Sequence, residues 1–370
     1  MKIKEPTSTT NEQKLKITVK NNQIIFGNPN TNDNAKVSFE RTLRIPDDGK
    51  VYPLPPSFGH FPIEKVDDYL DKVPETWKQH GGVFIPMYQR EAMWMQFHGN
   101  NSTPKAMKIA IGKINALTGK TWDQKLQKTE NDYVVIPDQP WLDGINSGNG
   151  TIKQFVAMPL GSGYTVEGQV SGKEEFGGIQ LCVYDSKEIN KKIDSSNRYR
   201  SSSINAKKKT SSSTTSFLET KCFSLADDFD ECEERCLESD AKEMGLSAGG
   251  QVKQKIYKDK HGINFWDENK TGRLFVHIVN SSMYTKITGK EPPKTVISSQ
   301  TYTDYGYPWY DIWDENKKSI KPSKILSQVK SVKEIDEEKY SWLQQNDQTV
   351  HINNIYPIKK DPNEVRDGFW

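Results

Sequence analysis

The stretch Trp77–Phe97 reads WKQHGGVFIPMYQREAMWMQF and is the most distinctive part of the chain. It concentrates aromatic residues, methionines, a His-Gly-Gly turn and an Arg-Glu pair in a sequence whose hydrophobic fraction is only 34%. We predict that this stretch forms the structural centre of the fold.

The residues before His80 have the spacing of an amphipathic helix. Apolar side chains recur at i, i+3, i+7, i+10 and i+14, which places them on one face: Ile63, Val66, Leu70, Val73 and Trp77. Pro74 interrupts the pattern, so we expect a kink or a restart with Pro74 at the first helical position. His80-Gly81-Gly82 predicts the end of this helix, because glycine adopts the left-handed cap conformation without strain.

His80 has two interpretations. A histidine in the last turn of a helix interacts favourably with the negative end of the helix dipole, and that role is purely structural. The functional alternative is a histidine held at an exposed turn as an acid, a base or a ligand.

A second helix is predicted from Pro86 to Phe97, with Met87, Ala92 and Met95 on its broad apolar face. Glu91 falls in the middle of that face, and a buried carboxylate is costly unless it is paired or protonated. Arg90 points elsewhere, so a partner of Glu91 would come from another part of the fold. The alternatives are a residue at the rim of the face and a desolvated carboxylate of the kind found in active sites.

Two further carboxylates lie in the segment Asp138–Gly144, which follows a predicted strand at 133–137. Asp138 and Asp143 could act as acid or base, or bind a cation together with backbone oxygens. Asp side chains also stabilise turns by bonding nearby amides, which is the structural alternative.

The region 151–185 is the most β-like, with strands predicted at 152–158, 164–170 and 179–184. Gly161 and Gly163 separate the first two of these strands without opening a helix, so they do not form a dinucleotide-binding fingerprint. They are expected to serve turns or to let a ligand approach the backbone. Thr118-Gly119-Lys120-Thr121 lacks the first glycine of a phosphate-binding loop, so we predict a turn followed by a short helix at 122–128.

Aromatic residues are densest between residues 302 and 313, which read YTDYGYPWYDIW. Aromatic faces bind sugars and peptides, so the candidate ligand-binding residues there are Tyr302, Tyr305, Tyr307, Trp309 and Tyr310. The alternative is that these rings fill the core or a partner interface. A helix is predicted to follow at 324–337.

Composition limits the protein class. The formal net charge of +2 is too small for a non-specific nucleic-acid binder. The chain has no secretory signal pattern and nothing close to the roughly 18 consecutive apolar residues of a membrane span. The four cysteines are few for 370 residues, and free thiols in a reducing compartment are expected. We therefore expect a soluble cytoplasmic protein that binds neither membrane nor nucleic acid.

No cofactor or metal site is predicted. Cys232 and Cys236 are spaced i, i+4 on a helix predicted from Ser224, but no second pair of ligands completes a metal site. His277 lies inside an apolar strand and is expected to be a hydrogen-bonded core residue.

The fold class predicted is α+β, rich in mainly antiparallel strands with several connecting helices. We expect a disordered tail at 1–13, the N-terminal half of one β-rich domain at 14–185, and a C-terminal half at 222–358 packed on it. The Ser/Lys-rich segment 186–221 is predicted to be a disordered insertion, because it cannot bury enough apolar surface to fold. Residues 359–370 form a second tail.

Long segments of the chain resemble a family of uncharacterised microbial proteins. They include VPETWKQHGGVFIPMYQREAMW at Val73–Trp94, DQPWLDGIN at Asp138–Asn146, Phe155–Gly178, and Gly272–Asn280 with Pro292–Trp309. The resemblance implies no activity and no functional residue. It does imply that the Ser/Lys-rich stretch is a local insertion and that the sequences on either side belong to one fold.

Three functions follow as hypotheses. The first is a non-catalytic protein that binds a ligand, a glycan or a partner through the aromatic segment and the glycine turns. The second is a hydrolase that combines Glu91 and His80 with Asp138 or Asp143. The third is a structural protein whose aromatic residues form the interface of a homo-oligomer.

Overall fold

The structure is a computed structural model that describes residues 13–187, 243–294, 299–304, 306, 308–313, 317–340 and 355–359. The predicted insertion, both predicted tails and the helix from Ser224 lie outside these residues, apart from a few at their borders.

The described chain is rich in β-strands that are mostly antiparallel, as predicted. The strands are β1 (Gln13–Lys14), β2 (Ile17–Lys20), β3 (Gln23–Gly27), β4 (Asn34–Thr42), β5 (Val51–Tyr52), β6 (Ser57–His60), β7 (Glu64–Lys65), β8 (Val83–Met87), β9 (Ala92–Gly99), β10 (Lys105–Ile111), β11 (Ile114–Asn115), β12 (Val134–Ile136), β13 (Trp141–Leu142), β14 (Gly144–Gly148), β15 (Thr151–Pro159), β16 (Ile179–Ser186), β17 (Glu243–Lys253), β18 (Trp266–Asn280), β19 (Trp309–Trp313) and β20 (Ile355–Lys359).

Helices in the described residues are short, and the longest have eight residues. The α-helices are α1 (Glu75–His80), α2 (Val166–Ser171), α3 (Ser281–Thr288), α4 (Ser299–Asp304) and α5 (Val332–Lys339). Three 3₁₀ turns lie at Val66–Tyr69, Ile263–Phe265 and Leu326–Gln328.

Strand β18 connects the sheet. Its first part pairs antiparallel with β16, its C-terminal end pairs with β17, and the same end pairs in parallel with β8. On one side the ladder continues from β16 through β10 to β12. On the other it runs from β17 through β15, β9, β4 and β3 to β2. The sequences before and after residues 188–242 therefore share one sheet.

A tight hairpin turns at Asn21 and Asn22. Strands β2 and β3 pair from Lys20↔Gln23 outwards, and both asparagines have positive φ, 51° and 55°. Two left-handed residues make the turn whose twist matches that of the flanking strands, and asparagine tolerates this conformation better than most residues.

The prediction of a helix from Pro86 to Phe97 is wrong. Val83–Met87 and Ala92–Gly99 are strands β8 and β9, joined by a turn in which Glu91 N donates to Tyr88 O at 3.1 Å. All of β8 and the first six residues of β9 are buried. Strands covered on both faces carry continuous apolar sequence, which imitates the broad face of a buried helix.

The helix predicted from Ile63 is only partly present. The chain forms β7 and the 3₁₀ turn at Val66–Tyr69, and then restarts as α1 at Glu75. Pro74 is the N-cap of α1 and not its first helical residue. The predicted end at His80 is confirmed, and the Gly81 N–H donates to Trp77 O at 2.7 Å. The expected left-handed cap conformation is absent, because Gly81 has φ 61° but ψ −153°.

Three other predictions were wrong wholly or in part. Residues 164–170 hold the helix α2 and not a strand. Residues 122–128 form irregular structure and not a helix. The helix predicted at 324–337 is divided into the 3₁₀ turn and α5, which begins only at Val332.

Candidate functional site

Glu91 lies in the turn between β8 and β9, and its side chain is 4% exposed. One carboxylate oxygen accepts hydrogen bonds from Nε and Nη2 of Arg41, both at 3.2 Å, and the other accepts from Tyr88 N at 2.9 Å. Burial raises the pKa of Glu91, while Arg41 and the Tyr88 amide oppose that rise. The partner of Glu91 does come from a distant part of the sequence. It is Arg41, whose guanidinium forms a structural ion pair with the Glu91 carboxylate.

His80 is exposed at the C-terminus of α1 and begins a stack of four rings. Its ring lies on Phe275 with centroids 4.9 Å apart, Phe275 lies on His277 at 4.3 Å, and His277 lies on Trp77 at 4.5 Å. The His277 Nε2 donates to Gly81 O at 3.0 Å, since a carbonyl oxygen only accepts. Burial lowers the pKa of His277 to about 3, so this core histidine is neutral.

Asp138 and Asp143 have unlike surroundings. Asp138 pairs with Lys260 at 2.8 Å and lies 3.9 Å from the Lys317 ammonium. Asp143 is 2% exposed, and its Oδ1 has no hydrogen-bond partner within the described part of the chain. Burial raises the pKa of Asp143 to about 8, although the Gln254 side chain lowers it in part. At neutral pH this carboxyl is therefore mostly protonated.

The four candidate catalytic residues are not brought together. Within the described ranges, no hydrogen bond or ion pair joins any two of Glu91, His80, Asp138 and Asp143. Their surroundings are separate, so the geometry does not assemble them into an acid–base centre.

The aromatic segment packs inwards where the structure describes it. Tyr302 is 4% exposed and Trp309 1% exposed, and their rings meet edge to face at 5.9 Å. Tyr310 is half-buried, and its backbone forms a bridge with Leu54. Tyr305 and Tyr307 lie outside the described residues. The rings of Tyr302 and Trp309 therefore contribute to the core and do not form an open aromatic platform.

The glycine turn before α2 is stabilised by carboxylates of this chain. The Gly163 amide donates to Glu174 Oε2 at 3.0 Å, and the Thr165 amide and hydroxyl donate to Glu174 Oε1. The buried carboxylate of Glu167 accepts three amides in the same way, from residues 175–177. Gly161 has φ 80° and faces open space. Backbone donors in this region are thus largely occupied by Glu174 and Glu167.

A groove lies beside this turn, between α2 on one side and the 3₁₀ turn with α5 on the other. Its volume is about 490 Å³. The side chains and backbone that line it are Gly163, Gln169, Val170, Ile325, Gln328, Val329, Lys330, Ile335, Glu338 and Lys339. Four of these residues are aliphatic, and Ile325 is 39% exposed. We call this feature the α2–α5 groove.

The two walls of the groove are joined through Gln169. Its Nε2 donates to Tyr164 O at 2.9 Å and to Lys330 O at 3.1 Å, and its Oε1 accepts from Lys330 N at 2.7 Å. Helix α2 is capped by Thr165, whose hydroxyl accepts from Gly168 N at 3.0 Å. Helix α5 begins with a capping box between Ser331 and Glu334. The side chain of Gln169 thus fixes the spacing of the walls.

Helix α5 is anchored to the turn between β8 and β9. Arg90 donates to both oxygens of Asp336, at 2.6 and 2.9 Å, and the Tyr164 hydroxyl donates to the same carboxylate at 2.7 Å. Arg90 has φ 68°, an uncommon conformation for a non-glycine residue. Burial alone would raise the pKa of Asp336, but hydrogen bonds from Arg90 and Tyr164 hold this pKa below its usual value. The stretch Trp77–Phe97 therefore supports one wall of the groove.

A polar cluster on β4 and β6 was not predicted from the sequence. The Glu40 carboxylate, 2% exposed, accepts from Ser38 Oγ and Ser57 Oγ at 2.7 Å and lies 2.6 Å from Nδ1 of His60. In a nucleophilic triad the serine donates to the imidazole. Here both serines donate to the carboxylate, so the cluster is a network that joins the two strands. Strand alternation alone does not show that this face of β4 is buried.

The described residues contain no group of three or more His, Cys, Asp and Glu placed to hold a metal ion. Cys182 is a buried free thiol, and burial raises its pKa to about 11. The other three cysteines lie outside the described residues. Within those residues no helix has both the length and the apolar character needed to cross a bilayer.

Comparison of the chain with protein-family models, with curated proteins and with solved structures found no match. The assignment of function therefore depends on the geometry of the α2–α5 groove and of the candidate residues around it.

Proposed function

We propose that this protein is a non-catalytic binding protein that holds a polypeptide segment of a partner in the α2–α5 groove. The observation that carries the proposal is the groove itself, about 490 Å³ in volume with four aliphatic residues among those that line it. This volume is within the range of about 300–1,000 Å³ that is usual for binding sites. Fixed walls reduce the entropy that is lost when a partner binds.

Binding is favoured over hydrolysis by the residues that line the groove. None of them is a serine, a cysteine or a histidine, and the Glu338 carboxylate is engaged by the Lys330 ammonium at 2.6 and 2.8 Å. A hydrolase needs a nucleophile or an activated water together with an acid or base. The hydrolase that Glu91, His80, Asp138 and Asp143 would form lacks support, because no hydrogen bond or ion pair in the described residues joins any two of them.

A polypeptide is favoured over a glycan by the chemistry of the groove. Sugars bind on flat aromatic faces, and no lining residue is aromatic. Aliphatic side chains with a rim of lysine, glutamate and glutamine match an apolar anchor residue flanked by polar backbone and side chains. The partner would insert one or two apolar side chains between Val170 and Ile325.

Selection of peptides from a random display library on the full-length protein tests this function. We expect selected peptides whose affinity falls at least about tenfold in Ile325→Asp, because a carboxylate in the groove must be desolvated by the incoming apolar side chain. The matched control is Leu70→Asp, since Leu70 is also an exposed aliphatic residue, at 45%. An equal loss of affinity in both variants would contradict the proposal, and so would peptides whose affinity is unchanged by Ile325→Asp.

The cytoplasmic location expected from the sequence belongs to the same proposal, and the buried free thiol of Cys182 is compatible with a reducing compartment. Homo-oligomerisation through the aromatic segment is less favoured, because Tyr302 and Trp309 are buried within the chain itself.

A further inference from the structure

Lysines are concentrated in the chain that leads to the α2–α5 groove. The segment from Lys317 to Lys330 leads into the wall that Ile325, Gln328, Val329 and Lys330 contribute to the groove. It contains five lysines and no acidic residue: Lys317, Lys318, Lys321, Lys324 and Lys330. Lys317 lies near Asp138, and Lys330 pairs with Glu338. Lys318, Lys321 and Lys324 are exposed, and the described residues place no carboxylate within ion-pair distance of them.

The acidic residues of α5 do not balance these lysines. Glu334 pairs with Lys153 at 3.4 Å, Asp336 with Arg90 at 2.6 Å, and Glu338 with Lys330 at 2.6 Å. Within the described part of the chain, Glu337 is the one acidic residue of α5 outside such a pair. The segment that leads into this wall therefore carries an excess of uncompensated positive charge, and Lys324 directly precedes the lining residue Ile325.

Charge complementarity at an interface raises the association rate and selects the partner. An acidic polypeptide matches this wall, whereas a basic one would be repelled by it. Single-stranded nucleic acid is also anionic, but its binding sites use aromatic rings on which the bases stack. The groove has aliphatic lining residues and no aromatic one, so it fits an apolar side chain between acidic residues better than a base.

We propose that the partner of the α2–α5 groove is an acidic polypeptide segment with an aliphatic anchor residue flanked by Asp and Glu. This inference rests on the proposed function and specifies the class of partner. The anchor contacts Val170, Ile325 and Val329, and the flanking carboxylates face Lys321 and Lys324.

Three fluorescein-labelled synthetic peptides test the inference by fluorescence anisotropy with the full-length protein. The first has a central Leu-Leu pair flanked by Asp and Glu, the second has Lys in place of every acid, and the third has Ser in place of both leucines. We expect the first to bind most tightly and its affinity to fall when salt is raised from about 50 to 300 mM, since salt screens exposed charges. Removing either the acids or the leucines should weaken binding.

The double variant Lys321→Gln, Lys324→Gln should bind the acidic peptide with about fivefold lower affinity, because exposed charge pairs contribute modestly to binding. The matched control is Lys20→Gln, Lys72→Gln, which removes the same charge at two other exposed lysines and should leave the affinity unchanged.

Three results would overturn the inference. The first is tighter binding of the lysine-flanked peptide than of the acidic one, with binding lost in Ile325→Asp. This result would reject the acidic partner but leave the proposed function of the groove intact. The second is displacement of the acidic peptide by an equal concentration of single-stranded DNA, which would assign the wall to nucleic acid. The third is the absence of binding by the acidic peptide at about 1 mM. Insensitivity of every bound peptide to Ile325→Asp would reject the groove function itself.

Discussion

Arg41 and Glu91 form an ion pair of mostly buried groups, with side chains 11% and 4% exposed. Arg41→Met would leave the Glu91 carboxylate buried without its cation, and we expect a loss of about 3–5 kcal/mol in the free energy of unfolding. Glu91→Gln should cost less, because glutamine still accepts from Tyr88 N and Arg41 still donates to Lys294 O. Urea unfolding of both variants measures this order.

The double variant Arg41→Met, Glu91→Gln separates the ion pair from other effects. Residues in direct contact have coupled energies, so the double variant should lose less stability than the sum of the two single losses, by at least about 1 kcal/mol. Additive losses would show that the pair contributes nothing beyond its separate contacts.

Asp143 makes stability depend on pH. Its native pKa of about 8 lies above the value of roughly 3.9 in an unfolded chain. The native state therefore holds a proton that the unfolded state releases, and the contribution of Asp143 to stability is lost as pH rises towards 8. Asp143→Asn removes this dependence. We expect the free energy of unfolding of the variant to rise relative to that of the wild type between pH 5 and pH 8, by on the order of 1 kcal/mol per pH unit.

Urea unfolding of the wild type and Asp143→Asn at several pH values between 5 and 8 measures this difference. A difference that stays constant over the range would mean that Asp143 is ionised in the native state.

Sequence patterns at single residues located the unusual carboxylate but not its partner. The sequence left a position at the rim and a desolvated carboxylate as alternatives for Glu91, and the structure shows that it is buried. Arg90 is not its partner, as predicted, although that prediction assumed a helix where the structure has a turn between two strands. Arg41 lies 50 residues away and meets Glu91 only through the pairing of β4 with β9. Nothing local to either residue encodes that contact.

At the scale of elements, burial on both faces explains the main error. Strand β9 carries Met93, Trp94 and Met95 in succession, all buried, so it lacks the alternation of a half-exposed strand. Its Met and Ala residues are also good helix formers. Periodicity alone does not distinguish a strand that is buried on both faces from a buried helix, because both have continuous apolar sequence.

Helix α2 had signals that could have revealed it. Thr165 is a favourable N-cap residue, and Gly172 ends the helix in the left-handed conformation at φ 78°. The β-branched residues Thr165 and Val166 and the glycine pairs on either side favoured a strand instead. Here the capping residues indicated the helix better than the propensities of the residues between them.

Arg90 should control the order of helix α5. Arg90→Gln removes the paired hydrogen bonds to the Asp336 carboxylate, which is 2% exposed, and we expect a loss of about 1–3 kcal/mol. Amide hydrogen exchange in α5 should accelerate, while exchange in β10 stays slow. Lys330→Gln is the control, because it removes an exposed ion pair of the same helix.

Unchanged exchange in α5 of the Arg90→Gln protein would mean that packing of Val332 and Ile335 alone holds the helix. Acceleration in both α5 and β10 would point to global destabilisation instead of release of one element.

At the scale of the whole molecule, the groove is assembled from residues distant in sequence. Gly163 to Val170 and Ile325 to Lys339 are separated by more than one hundred residues. They meet because β15, which precedes α2, pairs with β17, and because α5 packs beside Tyr164 and Val156. The sequence indicated a β-rich antiparallel fold correctly, but the pairing of its distant strands, and hence the groove, does not follow from local pattern.

We propose that the α2–α5 groove binds a polypeptide segment. Amide hydrogen exchange of the full-length protein, with and without a saturating peptide selected on it, tests this most directly. We expect slower exchange in α2 and across residues 325–339, with no change in the β2–β3 hairpin. Protection confined to another surface, with the amides of α2 and α5 unaffected, would contradict it.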